Sequence, residues 1–248
     1  MFQNVGEMLI LFWRTLLALP ALVRQRRKLF DQLFEIGNAS LLMACILSMF
    51  IGGVIALQTG PALQERGIGS AIGGLVGISL CKELAPVMMS ILIAGRIGSA
   101  MSAEIGSMQV YQEIDALRTM NIDPVKYLVL PRMLAIAIAL PILVLFANLV
   151  GWMGGAFVSV TNQQINLTYE AYFASLRNAV DMSDIFNGLV KSWVFALVIG
   201  VVCCHQGLTT IGGPRGIGRS VTKAVVNSIV LILILDYFVT RILVFFDP

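Results

Sequence analysis

The chain has 248 residues, of which 58% are apolar and 12% are charged, and its mean hydropathy is +0.87. A soluble domain carries about 25% charged residues, so the composition excludes a soluble enzyme, a disordered tail and a nucleic-acid-binding protein. A bilayer crossing takes about 20 helical residues, which leaves room for about five crossings, and the net charge of +3 is best interpreted as a topology signal. The four cysteines lie in apolar runs without a Cys-x-x-Cys pair, which predicts neither a disulfide nor a metal site.

The first apolar stretch, Met8–Leu22, predicts a helix that lies in the membrane interface. Glu7 precedes it and Arg14 interrupts it, which argues against a signal peptide. Large apolar side chains fall toward the opposite helical face, and the basic cluster Arg24–Lys28 follows, a pattern typical of a helix at anionic headgroups. The alternative is a poor first transmembrane helix.

Five longer apolar runs predict the crossings. They are Ala39–Gln58, Ser70–Gly98, Met133–Val160, Ile185–Cys204 and Val221–Phe246. The second contains Gly73, Gly74 and Gly77, small residues that allow close helix contact. We therefore expect an all-α integral membrane protein with one domain over residues 1–248: an N-terminal interfacial amphipathic helix and basic segment over 1–38, and five transmembrane helices over 39–248.

Lysine and arginine residues set the expected orientation. They concentrate in the N-terminal segment and in the segments after crossings two and four, and are fewer on the other side. The positive-inside rule then places the N terminus in the cytoplasm and, after five crossings, the C terminus in the periplasm.

Four charged residues fall inside the predicted crossings. Lys82 and Glu83 lie in the second, Lys191 in the fourth and Asp236 in the fifth, and each costs several kcal/mol if left alone in hydrocarbon. The helical rise puts all four in one layer of the outer half of the bilayer. Three interpretations stay open: pairs that fix helix register, a network that moves during transport, or a proton relay. Pro86 predicts a kink beside them.

The segment between crossings two and three predicts an amphipathic helix that ends at Asp123-Pro124. Its apolar residues recur at three-residue spacing: Ile105, Met108, Tyr111, Ile114, Leu117 and Met120. Glu104, Glu113 and Asp115 keep the rest polar. Such a helix at the membrane end is either a grip for a partner protein or a connector packed on its own helices.

The segment Gly213–Ser220 nearly matches a phosphate-binding loop, but the match fails. Arg219 replaces the essential lysine, no buried strand precedes the segment, and a membrane helix follows it. We expect a flexible glycine-rich turn here and no ATP site in this chain. His205 stands alone at a membrane end, without metal partners.

Several linked motifs resemble the MlaE (YrbE-type) permease family over roughly residues 30–245. They are Lys82-Glu-Leu-Ala-Pro-Val, Ala94-Gly-Arg-Ile-Gly-Ser-Ala, Ala103-Glu-Ile-Gly-Ser-Met, and Gln112-Glu-Ile-Asp-Ala-Leu with Met120-Asn-Ile-Asp-Pro. Two positions depart from the family pattern. Lys82 stands where relatives often carry arginine, which keeps the charge but loses bidentate pairing. Asn121 stands where glycine is common, and asparagine tolerates the left-handed conformation.

The resemblance implies a permease subunit of a bacterial ABC transporter in the inner membrane. By this resemblance it moves phospholipids between that membrane and a periplasmic MCE carrier, and so contributes to outer-membrane lipid asymmetry. The implied assembly is a homodimer with two cytoplasmic ATPases, a small STAS-domain subunit and an MCE-domain hexamer. The permease itself would be no enzyme and would hold no cofactor, because ATP and Mg bind to the ATPase.

The resemblance also implies site residues. Residues 103–120 would be the coupling helix, with its ATPase contacts at Glu104, Met108, Tyr111, Glu113 and Asp115. Lys82, Glu83, Lys191 and Asp236 would form the intramembrane charge cluster. The lipid cavity would lie between two protomers, lined by crossings one and five.

Ile51, Ile55 and Leu63 are our candidates for the lipid path, and Gly52-Gly53 would leave room for an acyl chain. Ordinary packed or lipid-facing residues are the alternative for all three candidates. Two other functions also stay open for the whole chain. One is an ion-coupled secondary transporter that uses the charges, against which the absence of a repeat argues. The other is a non-transporting membrane anchor.

Overall fold

The computed structural model describes residues 2–20 and 26–246, and every regular element in that part of the chain is helical. Arg24 and Gln25 of the basic cluster lie outside the described residues. The helices are α1 (Phe2–Leu17), α2 (Arg26–Glu65), α3 (Gly69–Val110), α4 (Glu113–Thr119), α5 (Val125–Thr161), α6 (Tyr169–Ala179), α7 (Met182–Leu208) and α8 (Gly213–Phe246). 

Five helices, α2, α3, α5, α7 and α8, are long and apolar enough to cross a membrane. The predicted all-α membrane protein with five crossings is therefore confirmed. Each helix extends beyond its predicted crossing, because hydropathy falls at the first charges whereas the hydrogen-bonded backbone continues. Helix α2 thus begins at Arg26, and the basic residues 26–28 form its first turn.

Helix α8 begins at Gly213, so the predicted flexible turn over Gly213–Ser220 is wrong. The left-handed backbone is confined to Gly212 and Gly213, with φ of 92° and 68°, and glycine adopts that region without a steric cost. Pro214 follows at the start of the helix, where its fixed φ is favourable and its missing N–H costs nothing.

Helix α1 has 16 residues, which at about 1.5 Å per residue is too short for a bilayer core of about 30 Å. Leu11, Thr15 and Ala18 are buried, whereas Leu9, Trp13 and Leu17 are more than half exposed. An exposed apolar face is the expected property of a helix that lies in the membrane interface.

The described residues form two compact units, and the prediction of a single domain is not decided by them. Unit one comprises the described parts of Met1–Ala39, Ser90–Leu140 and Trp193–Phe238. Unit two comprises the described parts of Ser40–Met89, Pro141–Ser192 and Val239–Pro248.

In unit two, glycines bring the backbones of α2 and α5 into contact. A Cβ atom on Gly52 would overlap the carbonyl group of Gly151, and one on Gly154 would overlap the carbonyl oxygen of Met49. A Cβ atom at its ideal position on Gly53 would lie 3.0 Å from Cγ2 of Val158. Helix α5 thus fills the space beside Gly52 and Gly53. The prediction that these glycines leave room for an acyl chain is wrong.

Glycines of α3 serve the same purpose against α6, a helix that the sequence analysis did not predict. A Cβ atom on Gly73 would overlap the carbonyl oxygen of Tyr172, and Cβ atoms on Gly74 and Gly77 would lie 2.6 Å from Ala179 and Val180. The expected close packing around these glycines is confirmed.

Tyr172 of α6 is fully buried in a cluster with Ile72, Val76 and Leu80, and this burial raises the pKa of its phenol. Thr168 caps the start of α6, because its hydroxyl accepts a hydrogen bond from the Ala171 N–H at 3.3 Å.

In unit one, the end of α3 packs tightly on the end of α7. The ideal Cβ position of Gly98 lies 2.7 Å from Cys203 Sγ, and that of Gly207 lies 2.7 Å from Cβ of Ile105. A Cβ atom on Gly106 would lie 2.9 Å from the hydroxyl oxygen of Thr210. These contacts hold the beginning of the predicted coupling segment against a second membrane helix.

Candidate functional site

Helix α3 contains two π-helical turns, Leu80–Leu84 and Ala94–Gly98. In the first turn the Ala85 N–H donates to the Leu80 carbonyl, which widens the helix just before Pro86, a residue with no N–H to donate. π-Helical turns are frequent at functional sites, and this one carries both charges predicted in the second crossing, Lys82 and Glu83.

These two adjacent charges form ion pairs with two residues of α7. Lys82 Nζ lies 2.8 Å from Asp184 Oδ1, and Lys191 Nζ lies 2.7 Å from Glu83 Oε2. The Thr240 hydroxyl donates to Glu83 Oε1 at 3.4 Å. The structure therefore joins three of the four predicted charges, Lys82, Glu83 and Lys191, in one site within unit two and adds Asp184.

Asp184 is the member that the sequence analysis missed, because it lies just outside the predicted fourth crossing. It sits in the first turn of α7, where a negative charge is favourable. Its Oδ2 accepts a hydrogen bond from the Asp181 N–H at 3.1 Å, and its own N–H donates to the Asp181 carbonyl at 3.1 Å. A carboxylate three residues after an N-cap aspartate is a capping pattern. The spacing of Asp181 and Asp184 could therefore have placed Asp184 in the first turn of α7 from the sequence.

Each ion pair joins a buried residue to an exposed one. The side chains of Lys191 and Asp184 are 2% and 7% exposed, whereas those of Glu83 and Lys82 are 43% and 41% exposed. A charge that faces hydrocarbon is expensive, so ionisable groups in membrane helices face polar space or a protein partner. We therefore expect the exposed sides of Lys82 and Glu83 to face polar groups, water or a partner protein.

Asp236, the fourth predicted member, lies in the part of α8 that belongs to unit one and is half-buried. Its membership of the charge cluster stays a prediction.

The predicted coupling helix over 103–120 is not continuous. Helix α3 ends at Val110, Gln112 adopts a left-handed conformation with φ of 62°, and α4 starts at Glu113. The left-handed residue redirects the chain, so the three-residue spacing does not produce one apolar face. Ile105 and Ile114 are fully buried, whereas Tyr111 and Met120 are 65% and 62% exposed.

The break places several of the predicted ATPase contacts on one short exposed stretch. Tyr111, Glu113 and Asp115 are exposed there, and Met108 is half-buried one turn earlier. Asp115 pairs with Arg118 at 3.0 Å. Glu104 instead pairs with Arg132 of α5 at 2.9 Å, which ties the end of α3 to the next crossing. The role of these residues in coupling stays a prediction.

The turn after α4 agrees with one expectation and corrects another. Asn121 has φ of 60°, as expected for a residue that replaces glycine in a left-handed position. The preceding helix ends at Thr119, before Asp123-Pro124. Asp123 instead starts α5, because its Oδ1 accepts a hydrogen bond from the Val125 N–H at 3.0 Å.

The lipid-path candidates Ile51, Ile55 and Leu63 are partly buried and pack against the cluster around Tyr172. Between them, Val54 and Leu57 are 46% and 50% exposed. The three candidates thus lie at the edge of an exposed apolar face of α2. Their contact with transported lipid stays a prediction.

A family profile described as Permease MlaE matches residues 29–242. The chain belongs to the MlaE permease family. It is similar to a probable ABC transporter permease protein of Rickettsia felis, with 40% identity over 211 residues that cover 85% of this chain and 81% of the relative. A probable ABC transporter permease protein of Synechocystis is 40% identical over 215 residues, 87% of this chain and 81% of the relative. The chloroplast protein TRIGALACTOSYLDIACYLGLYCEROL 1 of Arabidopsis thaliana is 38% identical over 213 residues, 85% of this chain and 60% of the relative.

As an MlaE permease, the chain is the multi-pass membrane subunit of an ABC transporter and is not itself an enzyme. Such a permease works with an ATPase that hydrolyses ATP in a partner chain. Because ABC transporters are driven by ATP hydrolysis, the family disfavours the ion-coupled secondary transporter. It also disfavours a non-transporting membrane anchor, because a permease takes part in transport.

Proposed function

We propose that this permease moves phospholipids between the inner membrane and a periplasmic MCE carrier, and thereby contributes to outer-membrane lipid asymmetry. The half-exposed pair of Lys82 and Glu83 inside the membrane-spanning helix α3 carries the proposal. A phospholipid has a charged head and two acyl chains, so its path needs polar groups within an apolar surface.

Two further observations support a lipid substrate. The exposed face of α2 beside the lipid-path candidates is apolar, with Phe50 69% and Val54 46% exposed. The Arabidopsis relative is named after a diacylglycerol lipid. A path for a small hydrophilic solute would instead be lined by hydrogen-bond donors and acceptors.

We propose a homodimer, because α8 exposes more of its apolar surface than the other crossings do. In its most apolar stretch only 11% is buried, against 33% to 56% in the corresponding stretches of the other four helices. Val230, Leu233 and Tyr237 are 48%, 54% and 63% exposed, and a second protomer would cover such a face.

The proposed partners are two ATPases that bind ATP and Mg, a STAS-domain subunit and an MCE-domain hexamer. The ATPase would contact the exposed stretch from Tyr111 to Asp115. The proposed location is the bacterial inner membrane, with the N terminus in the cytoplasm, where the basic first turn of α2 faces anionic lipid, and the C terminus in the periplasm. The chain itself would carry no cofactor.

The experiment that tests the function uses the complex purified from its own host by a tag on this chain. The complex is reconstituted in proteoliposomes with fluorescent phospholipid, and transfer to acceptor vesicles is followed with ATP or with a non-hydrolysable analogue. We expect transfer that requires hydrolysis, and ATPase activity that rises with phospholipid. Transfer driven by an imposed ion gradient without ATP would support the secondary transporter instead. No lipid-dependent change in either signal would refute the proposal.

A further inference from the structure

An apolar groove in unit one lies between α1, α7 and α8 and encloses about 350 Å³. Its walls include Met8 and Phe12 of α1, Val198 and Val201 of α7, and Leu231 of α8. None of these residues belongs to the ion pairs, the coupling segment or the lipid-path candidates. The volume is within the range of about 300–1,000 Å³ typical of small-molecule sites.

A polar pocket of about 410 Å³ adjoins this groove along the same three helices. On α7, His205 of the pocket follows Val201 of the groove by four residues, one helical turn on the same face. On α1, Glu7 of the pocket directly precedes Met8 of the groove. The lining therefore changes from apolar to charged along one continuous direction.

The polar pocket presents two cations of α8, Arg219 and Lys223, which are four residues apart and so share a helical face. Both are exposed, and neither forms an ion pair among those found in the described residues. The one acidic residue in the lining, Glu7, lies 3.2 Å from Nε2 of buried His205. The two cations therefore leave the pocket complementary to an anion.

The length of the combined site fits one leaflet. Val194 at the far end of the groove and His205 in the pocket are 11 residues apart on α7. At about 1.5 Å per residue they are separated by roughly 17 Å, close to half of a bilayer core of about 30 Å. The cations then lie at headgroup depth on the side of α1, the interfacial helix.

We propose that this groove and pocket bind an anionic phospholipid of the leaflet next to α1, with one acyl chain along Val198 and the phosphate at Arg219 and Lys223. In the orientation proposed above this is the cytoplasmic leaflet. Binding of the lipid at this site does not require transport. A role of the site in the exchange of transported lipid rests on the proposed function.

The test uses the full-length protein, purified in its complex and reconstituted without nucleotide in nanodiscs that contain photoreactive phosphatidylglycerol, with the diazirine in the acyl chain. Cross-linked peptides are mapped by mass spectrometry. We expect labelling of the α7 peptide that carries Val198, and a loss of that labelling in Val198→Trp, whose indole fills the groove. Met153→Trp, on an exposed face of α5, is the matched control and should leave the α7 labelling unchanged.

The headgroup contact is tested by competition between photoreactive phosphatidylglycerol and unlabelled phosphatidylcholine. Arg219→Gln with Lys223→Gln should reduce the preference for the anionic lipid about thirtyfold, because each cation near the headgroups contributes about 1 kcal/mol. Lys126→Gln, at an exposed position of α5 outside the pocket lining, removes a similar charge and should change the preference little. These positions are exposed, so the variants are expected to fold.

Two results would overturn the proposal: α7 labelling that persists in Val198→Trp, or equal effects of Lys126→Gln and the double variant. Competition of the labelling by inorganic phosphate alone would show a free-phosphate site and would also overturn it. ATP-driven transfer is measured separately on the same preparation. Intact labelling without transfer would refute only the proposed function.

Discussion

Lys191 and Glu83 form an ion pair of unequal burial, with 2.7 Å between Lys191 Nζ and Glu83 Oε2. The lysine side chain is 2% exposed and the glutamate side chain is 43% exposed. Desolvation penalises a buried charge far more than a half-exposed one. Removing the glutamate charge should therefore destabilise the fold more than removing the lysine charge.

This asymmetry predicts different losses for two neutralising variants. Glu83→Gln should lower the free energy of unfolding by about 3 kcal/mol, because it removes the carboxylate beside a buried ammonium group. Lys191→Met should cost less, because it removes the buried charge and leaves Glu83 partly solvated. Thermal unfolding of the detergent-purified variants measures both, and the double variant should lose less than the two single losses added together.

The matched control for this series is Arg118→Gln, which breaks the exposed pair with Asp115. Both side chains of that pair are more than half exposed, so the expected loss is at most about 1 kcal/mol. Equal losses for Glu83→Gln and Lys191→Met, or simple additivity in the double variant, would contradict the assigned pairing.

A second prediction concerns the contact between α2 and α5. Gly52→Ala places a methyl group on the backbone of Gly151, and backbone gives way less easily than a side chain. We expect a loss of about 3 kcal/mol or more, seen as reduced yield of folded protein in fluorescence size-exclusion chromatography. Gly37→Ala in the same helix meets no atom within 4 Å and should be neutral or stabilising, because alanine is the better helix former.

A third prediction concerns the exposed stretch after α3. Glu113→Lys reverses a charge on an exposed residue at the start of α4, so it should weaken binding to the ATPase while expression and membrane insertion stay near normal. Co-purification of the ATPase and its specific activity are the measurements. Glu170→Lys, at an exposed position in the first turn of α6, is the control for charge reversal. Normal ATPase binding and transport in Glu113→Lys would remove this stretch from the interface.

The left-handed Gln112 supplies a fourth prediction. A non-glycine residue at φ of 62° costs about 1 kcal/mol, so Gln112→Gly should retain ATPase binding and stabilise the turn slightly. Gln112→Val should reduce ATPase binding, because a β-branched side chain disfavours this conformation. ATPase co-purification that is unchanged by Gln112→Val would show that the angle between α3 and α4 does not matter for assembly.

The number and type of the membrane helices follow from hydropathy, because a run of about 20 apolar residues has few alternatives to a crossing. The pairing of Lys82 with Asp184 does not follow, because it depends on how two crossings are rotated against each other. The break at Gln112 was also hidden, since glutamine carries no local signal for a left-handed turn. The role of Gly52 was misassigned for a related reason: a small residue shows that something lies close, but not whether it is lipid or helix.

The last prediction tests the lipid path on α2. A photo-crosslinker at Ile55 or Leu63, both partly buried beside exposed apolar residues, should capture phospholipid in excess over one at Met153 on α5, which is 64% exposed. Ile55→Asp should abolish phospholipid transfer by placing a charge on an apolar path, while dimer and ATPase assembly persist. Because Ile55 also packs against the Tyr172 cluster, thermal unfolding must show that the variant is folded, and Ile55→Asn provides a milder polar change. Equal crosslinking at Ile55, Leu63 and Met153 would mean that these residues meet only bulk lipid, and the path would then have to lie on another face.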